Sequence, residues 1–294
     1  MFANAVPTRP ANWRPAQSRH ASFVPVGAST PYVDLHLHAE GLRDADLATL
    51  AVFGLETAVT LAHDMPAPTA ADVRRHWDEL VSTQPKRLAA AGIRPLVALG
   101  LHPSRIPWRG LEELLHALPR YFDDPKVVAL GELGLHEGTP REEEVLLRQL
   151  ELSLRLRRPV ILHTPAQEKA PRTRRLLSLV REAGLDPSRV LVDHVTPETF
   201  PLVRALGCWA GLTLQPGGLH AEQAAALLMR HGAQGVLLTS DLGDGPADLL
   251  ALPRAAESLR AAGLSAELVK RALYEGPLRF LGLLPWRPPG GGPA

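Results

Sequence analysis

From residue 32 to residue 241 short apolar runs alternate with longer amphipathic stretches, and this rhythm constrains the fold more than any other feature. The runs at 32–38, 57–62, 94–101, 126–133, 159–163, 189–194, 208–213 and 235–240 are rich in Val, Leu and Ile. Most do not alternate with polar residues, as expected of parallel strands covered on both faces. Helical stretches fall between them at 69–91, 141–157, 167–184, 197–206 and 220–231, and two more follow at about 247–262 and 266–274. Gly92, Pro125, Pro159 and Gly184 punctuate the boundaries. Eight strands joined by right-handed helical crossovers predict a (β/α)8 TIM barrel of the α/β class. An open doubly wound sheet is the alternative. It calls for a glycine-rich phosphate turn after the first strand, where the chain reads HAEGLRDAD. This reading gives the barrel residues 31–284, with an irregular extension over 1–30 and a flexible tail over 285–294.

A chain of 294 residues suits one domain of barrel size. Hydrophobic content of 45% and a formal net charge of +1 describe a folded globular protein without a general polyanion-binding surface. Cys208 is the single cysteine, which excludes an intramolecular disulfide and suits a reducing compartment. No apolar run approaches the roughly 18 residues of a membrane span. The first thirty residues lack the continuous apolar segment of a secretory signal. The expected location is the cytoplasm, with no membrane partner.

Polar residues collect where the predicted strands end. In Tyr32-Val33-Asp34-Leu35-His36-Leu37-His38 a period of two puts both histidines on one face and both leucines on the other. The fourth strand ends at Glu132, the fifth at His163, the sixth at Asp193-His194 and the eighth at Ser240-Asp241. In a closed barrel all these ends face one mouth, where enzymes of this fold build their sites. Imidazoles and carboxylates converging there predict two divalent cations (Zn²⁺, Mn²⁺ or Mg²⁺). His36, His38 and Asp241 hold one, His163 and His194 the other, and Glu132 bridges them. Paired ions about 3.5–4 Å apart suit hydrolysis by an activated water. Asp241 is the expected catalytic residue, orienting that water and taking its proton. Asp34, two residues deeper, is expected to support the ligands. No GxSxG elbow points to a serine hydrolase.

The segments VDLHLH (33–38), GLHPS (100–104), ALGELGLHEG (129–138), VILHT (160–164), VDH (192–194) and TSD (239–241) resemble the TatD family of metal-dependent hydrolases, of the amidohydrolase-like barrels. The resemblance runs from about residue 32 to 283, and the six residues above fall on the family's metal positions. It implies a usually dinuclear hydrolase whose best-known substrates are DNA 3′ ends. Three loops depart from the family pattern. Pro165 stands where an arginine is usual, DHVTPET replaces HCFSG, and TSDLGDGPAD replaces ETDxP. The metals are kept while the substrate loops change, so a small-molecule or phosphoester substrate is expected and nucleic acid is one candidate. HTPAQEKAPRTRRLL, VLVDHVTPETFPLV and GCWAGLTLQPG are closer to a TatD-related branch of bacterial secondary-metabolite clusters.

His102 matches a family histidine and is expected either to contact substrate or to cap the loop. His63 and Asp64 read as a polar turn before Pro66, and Lys169 and Arg172 as a helix start that either faces a phosphate or is simply solvated, the second being the usual case. A non-catalytic metal-binding scaffold and a metal-assisted isomerase or lyase of a sugar-like substrate are the other functional classes.

Overall fold

The computed structural model describes residues 31–63, 68–215, 218–245 and 248–283. The expected extension over 1–30 and tail over 285–294 lie outside the described residues. The first half of the chain runs β1 (Tyr32–Leu37), α1 (Asp44–Val52), β2 (Leu55–Leu61), α2 (Ala70–Ser82), α3 (Gln84–Ala90), β3 (Arg94–Leu99), α4 (Leu111–Tyr121) and β4 (Val127–Gly134). Next come α5 (Pro140–Leu156), β5 (Val160–His163), α6 (Lys169–Glu182), β6 (Val190–Val192), α7 (Phe200–Leu206) and β7 (Trp209–Thr213). The chain closes with α8 (Ala221–His231), β8 (Val236–Thr239), α9 (Ala251–Ala261), α10 (Ala266–Lys270) and α11 (Gly276–Phe280).

Each strand pairs in parallel with the next, in the order β1 to β8. The seam between β8 and β1 is spanned just past β8, where Asp241 N donates to His36 O (2.8 Å) and His38 N to Leu242 O (2.6 Å). The fold is the expected (β/α)8 TIM barrel. Among the described residues no helix is long and apolar enough to cross a membrane.

Two apolar clusters build the core. The larger joins strands to the helical ring through residues such as Leu47, Trp77, Leu114, Leu150 and Val203. Trp77 is fully buried and donates its indole N–H to Gly100 O at 3.1 Å, so its one polar atom is satisfied. The smaller draws Val33, Leu35, Val59, Leu61, Ile161 and Leu237 together with Leu278 and Phe280 of α11. Leu37 belongs to the larger cluster and Leu35 to the smaller, so the two leucines do not share a face as strict alternation predicts. The β1–β2 register shifts between Asp34 and Leu37, and that irregularity breaks the period of two.

The helices depart from expectation in three places. The stretch 69–91 is broken between α2 and α3, because Pro85 has no N–H to continue the ladder and its ring crowds the preceding turn. The final stretch passes from α10 through a π turn over Arg271–Glu275 into α11, past its expected end at 274. Helices α1 and α4 are additional. Cys208 is fully buried beside the start of β7, and burial pushes its thiol up to about 12. It is therefore neither exposed nor ionised at neutral pH.

Candidate metal centre

Six side chains from five strand ends meet at the barrel mouth. Glu132, at the end of β4, is 3% exposed and lies among three histidines. Its Oε1 stands 2.8 Å from His163 Nδ1 and 3.2 Å from His194 Nε2. Its Oε2 faces the other way, 3.4 Å from His36 Nε2. Asp241 Oδ1 closes the second side, 3.2 Å from both His36 Nε2 and His38 Nε2. All six residues expected from sequence are thus brought together, with one carboxylate oxygen of Glu132 turned to each histidine group.

The donor set fits divalent ions. Among the described residues His36 Nε2, His163 Nε2 and His194 Nδ1 are buried without a hydrogen-bond partner, a costly state unless something else binds them. Donors about 2.0–2.2 Å from one ion stand roughly 3.0–3.5 Å from one another, the range seen between His36, His38, Asp241 and Glu132. Triplets able to hold an ion include His36–His38–Glu132, His36–His194–Asp241 and His102–Glu132–His163.

Electrostatics make the cluster cohesive. Burial alone would raise the Glu132 carboxyl, yet the surrounding His36 and His163 hold it well below the ordinary carboxylate range. Burial disfavours a charged His36, but Glu132 and Asp241 raise its pKa well above the ordinary imidazole value. Burial and the loss of water lower His163. Without cations, protons on the imidazoles offset the carboxylates, so metal binding would release protons.

The surrounding residues hold the ligands in place. Asp193, fully buried, accepts His36 Nδ1–H at 2.7 Å. That bond fixes the tautomer leaving Nε2 free to ligate. The other Asp193 oxygen accepts from Thr213 Oγ1 (2.8 Å), Thr239 Oγ1 (2.9 Å) and His194 N (2.9 Å). Burial would raise Asp193, but the His36 bond and the nearby histidines hold it below the carboxylate range. Position 211 must be glycine, since a Cβ there would collide with the Asp193 carboxylate. Asp34 accepts from Ser240 Oγ and from His36 N (3.1 Å), binding β1 to the β8 end as its supporting role requires. Burial pushes the Asp34 carboxyl up to about 6. His194 and Asp241 adopt left-handed backbone (φ 55° and 57°), a conformation in which Asp and His are enriched among non-glycine residues.

Asp193 was not singled out by sequence reasoning, although a buried carboxylate opposite the free nitrogen of a ligating histidine is the usual arrangement. Replacing it by asparagine is expected to weaken the tightest metal 10–100-fold. Competition with a chromophoric chelator measures this, and unchanged affinity would contradict the orienting role.

His102 does cap its loop. Its Nδ1 accepts from Ser104 N at 3.3 Å, while Nε2 lies 3.9 Å from Glu132 Oε2. Lys169 is not simply solvated. It donates to Thr164 O at 2.8 Å, and burial pushes its amine down to about 8. Arg172 is engaged by Glu168 and by the His136 carbonyl. A cleft of 710 Å³ opens beside the centre, lined by His163, Lys169, His194, Thr196, Gln215 and Asp241 among others. His63 is not a plain turn residue either: its Nε2 lies 2.9 Å from Glu40 Oε1, while Asp64 falls outside the described residues.

Comparison with known proteins agrees with this geometry. Residues 33–227 match the family model described as TatD related DNase. The chain belongs to the TatD family. It is 34% identical over 244 residues to an uncharacterized metal-dependent hydrolase of Methanocaldococcus jannaschii, covering 83% of this chain and 96% of that one. A TatD-like protein from Archaeoglobus fulgidus, 31% identical, superposes with a TM-score of 0.72 over 85% of this chain and all of that one (100%). The TatD homologue YjjV of Escherichia coli, 24% identical, shares the fold with a TM-score of 0.62, covering 86% of this chain and 98% of that one. This TatD-family chain is a metal-dependent hydrolase with candidate metal-ligand clusters at the barrel mouth.

Proposed function

We propose that the chain hydrolyses a phosphoester, or a related ester or amide, with two divalent ions held by His36, His38, Glu132, His163, His194 and Asp241. The observation that carries this reading is the division of Glu132: Oε1 faces His163 and His194, and Oε2 faces His36. A carboxylate so placed can bridge two cations. Four imidazoles favour zinc or a similar transition metal over magnesium. Bound there, the ions would supply Lewis acidity and acidify a water.

The chain's own residues do the rest. Asp241, 7% exposed and lining the cleft, accepts the proton of the attacking water at its carboxylate. Lys169 offers a cation to an anionic substrate group, on the side where Pro165 replaces the family arginine. His102 Nε2, turned toward Glu132, contacts substrate. Near-zero net charge favours a small phosphoester over a long nucleic acid. A buried, single cysteine suits action in the reducing cytoplasm.

Chelation followed by reloading tests the proposal. Zn²⁺- or Mn²⁺-loaded protein is expected to cleave a chromogenic phosphodiester, lose turnover on chelation and regain it with metal. Release of nucleotides from single-stranded DNA would identify nucleic acid as the substrate instead. No metal-dependent turnover across phosphoester, ester, lactone and amide panels would leave the scaffold reading in its place.

A further inference from the structure

We propose that Gly41 and Gly243 are positioning residues for the metal centre. Their backbone-to-backbone contact sets the spacing of His38 and Asp241, and so governs one ion site without the other. The inference rests on the dinuclear reading above. His38 leads from β1 into the single turn Ala39–Gly41, and Asp241 follows β8, so these two ligands ride on loops that meet across the barrel seam. His38 N donates to Leu242 O at 2.6 Å, and Leu37 bridges Leu242 in parallel. Beyond that bridge the loops meet glycine to glycine. A Cβ on Gly41 would fall on the Gly243 carbonyl, 2.8 Å from its carbon and 2.9 Å from the Gly243 Cα. A Cβ on Gly243 would in turn fall on the carbonyl of His38 itself, 2.9 Å from its carbon.

Neither loop is free to swing away from such a collision. Arg87 of α3 donates Nη1 to Ala39 O (2.8 Å) and Nη2 to Leu42 O (2.5 Å), and its Nε bonds Asp44 at 2.8 Å. Gly41 N is tied to His38 O at 3.0 Å. In the other loop Asp241 N donates to His36 O (2.8 Å) and Leu242 N to Ser240 Oγ (3.2 Å). Displacement therefore passes to the ligands. His38 Nε2 and Asp241 Oδ1 stand 3.2 Å apart, within the roughly 3.0–3.5 Å that separates donors sharing one ion. His163 and His194 belong to β5 and the end of β6, which pair with neither β1 nor β8. Close packing alone is the simpler account. It predicts weakening of the whole barrel, whereas positioning predicts a loss confined to one ion. Gly41 lies outside the left-handed region, so alanine there adds the collision without dihedral strain. Gly245, in the same loop as Gly243 and left-handed (φ 85°), has open space where its Cβ would be.

Zn²⁺ titration of the full chain in competition with a chromophoric chelator tests the contact. Gly41→Ala is expected to weaken one ion 10–100-fold, the range typical of disturbing a group that orients a ligand, and to leave the other unchanged. Retention of that other ion shows that the variant is folded. Gly243→Ala, pressing on His38 from the opposite loop, is expected to weaken the same ion, and Gly245→Ala neither. In a His38→Ala background Gly41→Ala is expected to add no further loss at that ion, because it acts through His38. Equal affinities in wild type and Gly41→Ala, equal weakening of both ions, or the same weakening in Gly245→Ala would overturn the proposal. So would failure of both Gly41→Ala and Gly243→Ala to bind any ion, because the contact would then hold the barrel and not the site. The wild-type ion count judges the dinuclear reading, and the difference between Gly41→Ala and wild type judges this one.

Discussion

Asp241→Asn is expected to lower kcat about 10²–10⁴-fold, the range typical of removing a general base. The substitution is isosteric. Asparagine, like aspartate, tolerates the left-handed backbone that Asp241 adopts (φ 57°), so the loop after β8 keeps its course. Its amide N still donates to the His36 carbonyl across the barrel seam, so closure is preserved. What disappears is an anionic oxygen 3.2 Å from both His36 and His38 Nε2. A neutral amide neither takes a proton from water nor offsets positive charge. Turnover is to be measured at saturating metal, where excess ion cannot restore it if the lost function is proton transfer. A kcat within about threefold of wild type, a difference under 1 kcal/mol, would reject Asp241 as the base.

Glu132→Ala is expected to lose at least one ion per chain relative to wild type. Both oxygens go at once, one from each histidine group. The cavity left is polar, and His36, His163 and His194 remain there with Asp241, Asp193 and Asp34 as the nearby carboxylates to offset cationic charge. Because an ion bound only by the folded state stabilises it by mass action, the variant should also lose much of the metal-dependent rise in Tm. At a free metal concentration of 100 Kd, wild type gains about 2.7 kcal/mol per site from that linkage. Elemental analysis and paired melts with and without chelator read both effects. Undiminished metal content would reject the bridging role.

The strands were legible because parallel strands buried on both faces read as near-continuous apolar runs, and β4 (Val127–Gly134) does so with every residue buried. The helices were less so. In α4 an internal Pro119 disguises a helix that its leucines Leu114, Leu115 and Leu118 bury against the core. Helix α1 is nine residues long and buries only Leu47 and Leu50, too short a stripe to mark it. The ligands stood out because barrel topology converts strand ends into one place. Asp193 could be read only as a neighbour of His194, since its partner His36 lies 157 positions away. Glu40 and His63 gave still less signal, because their contact depends on how the turn after β1 packs against the end of β2, which no local spacing encodes.

The central claim is that Glu132 divides the mouth into two cation sites. Anomalous X-ray diffraction from crystals soaked with Zn²⁺ or Mn²⁺ addresses it most directly. Two peaks about 3.5–4 Å apart are expected on either side of the Glu132 carboxylate, one with His36, His38 and Asp241 and the other with His163 and His194. A single peak, or peaks that leave Glu132 without a metal neighbour, would contradict it.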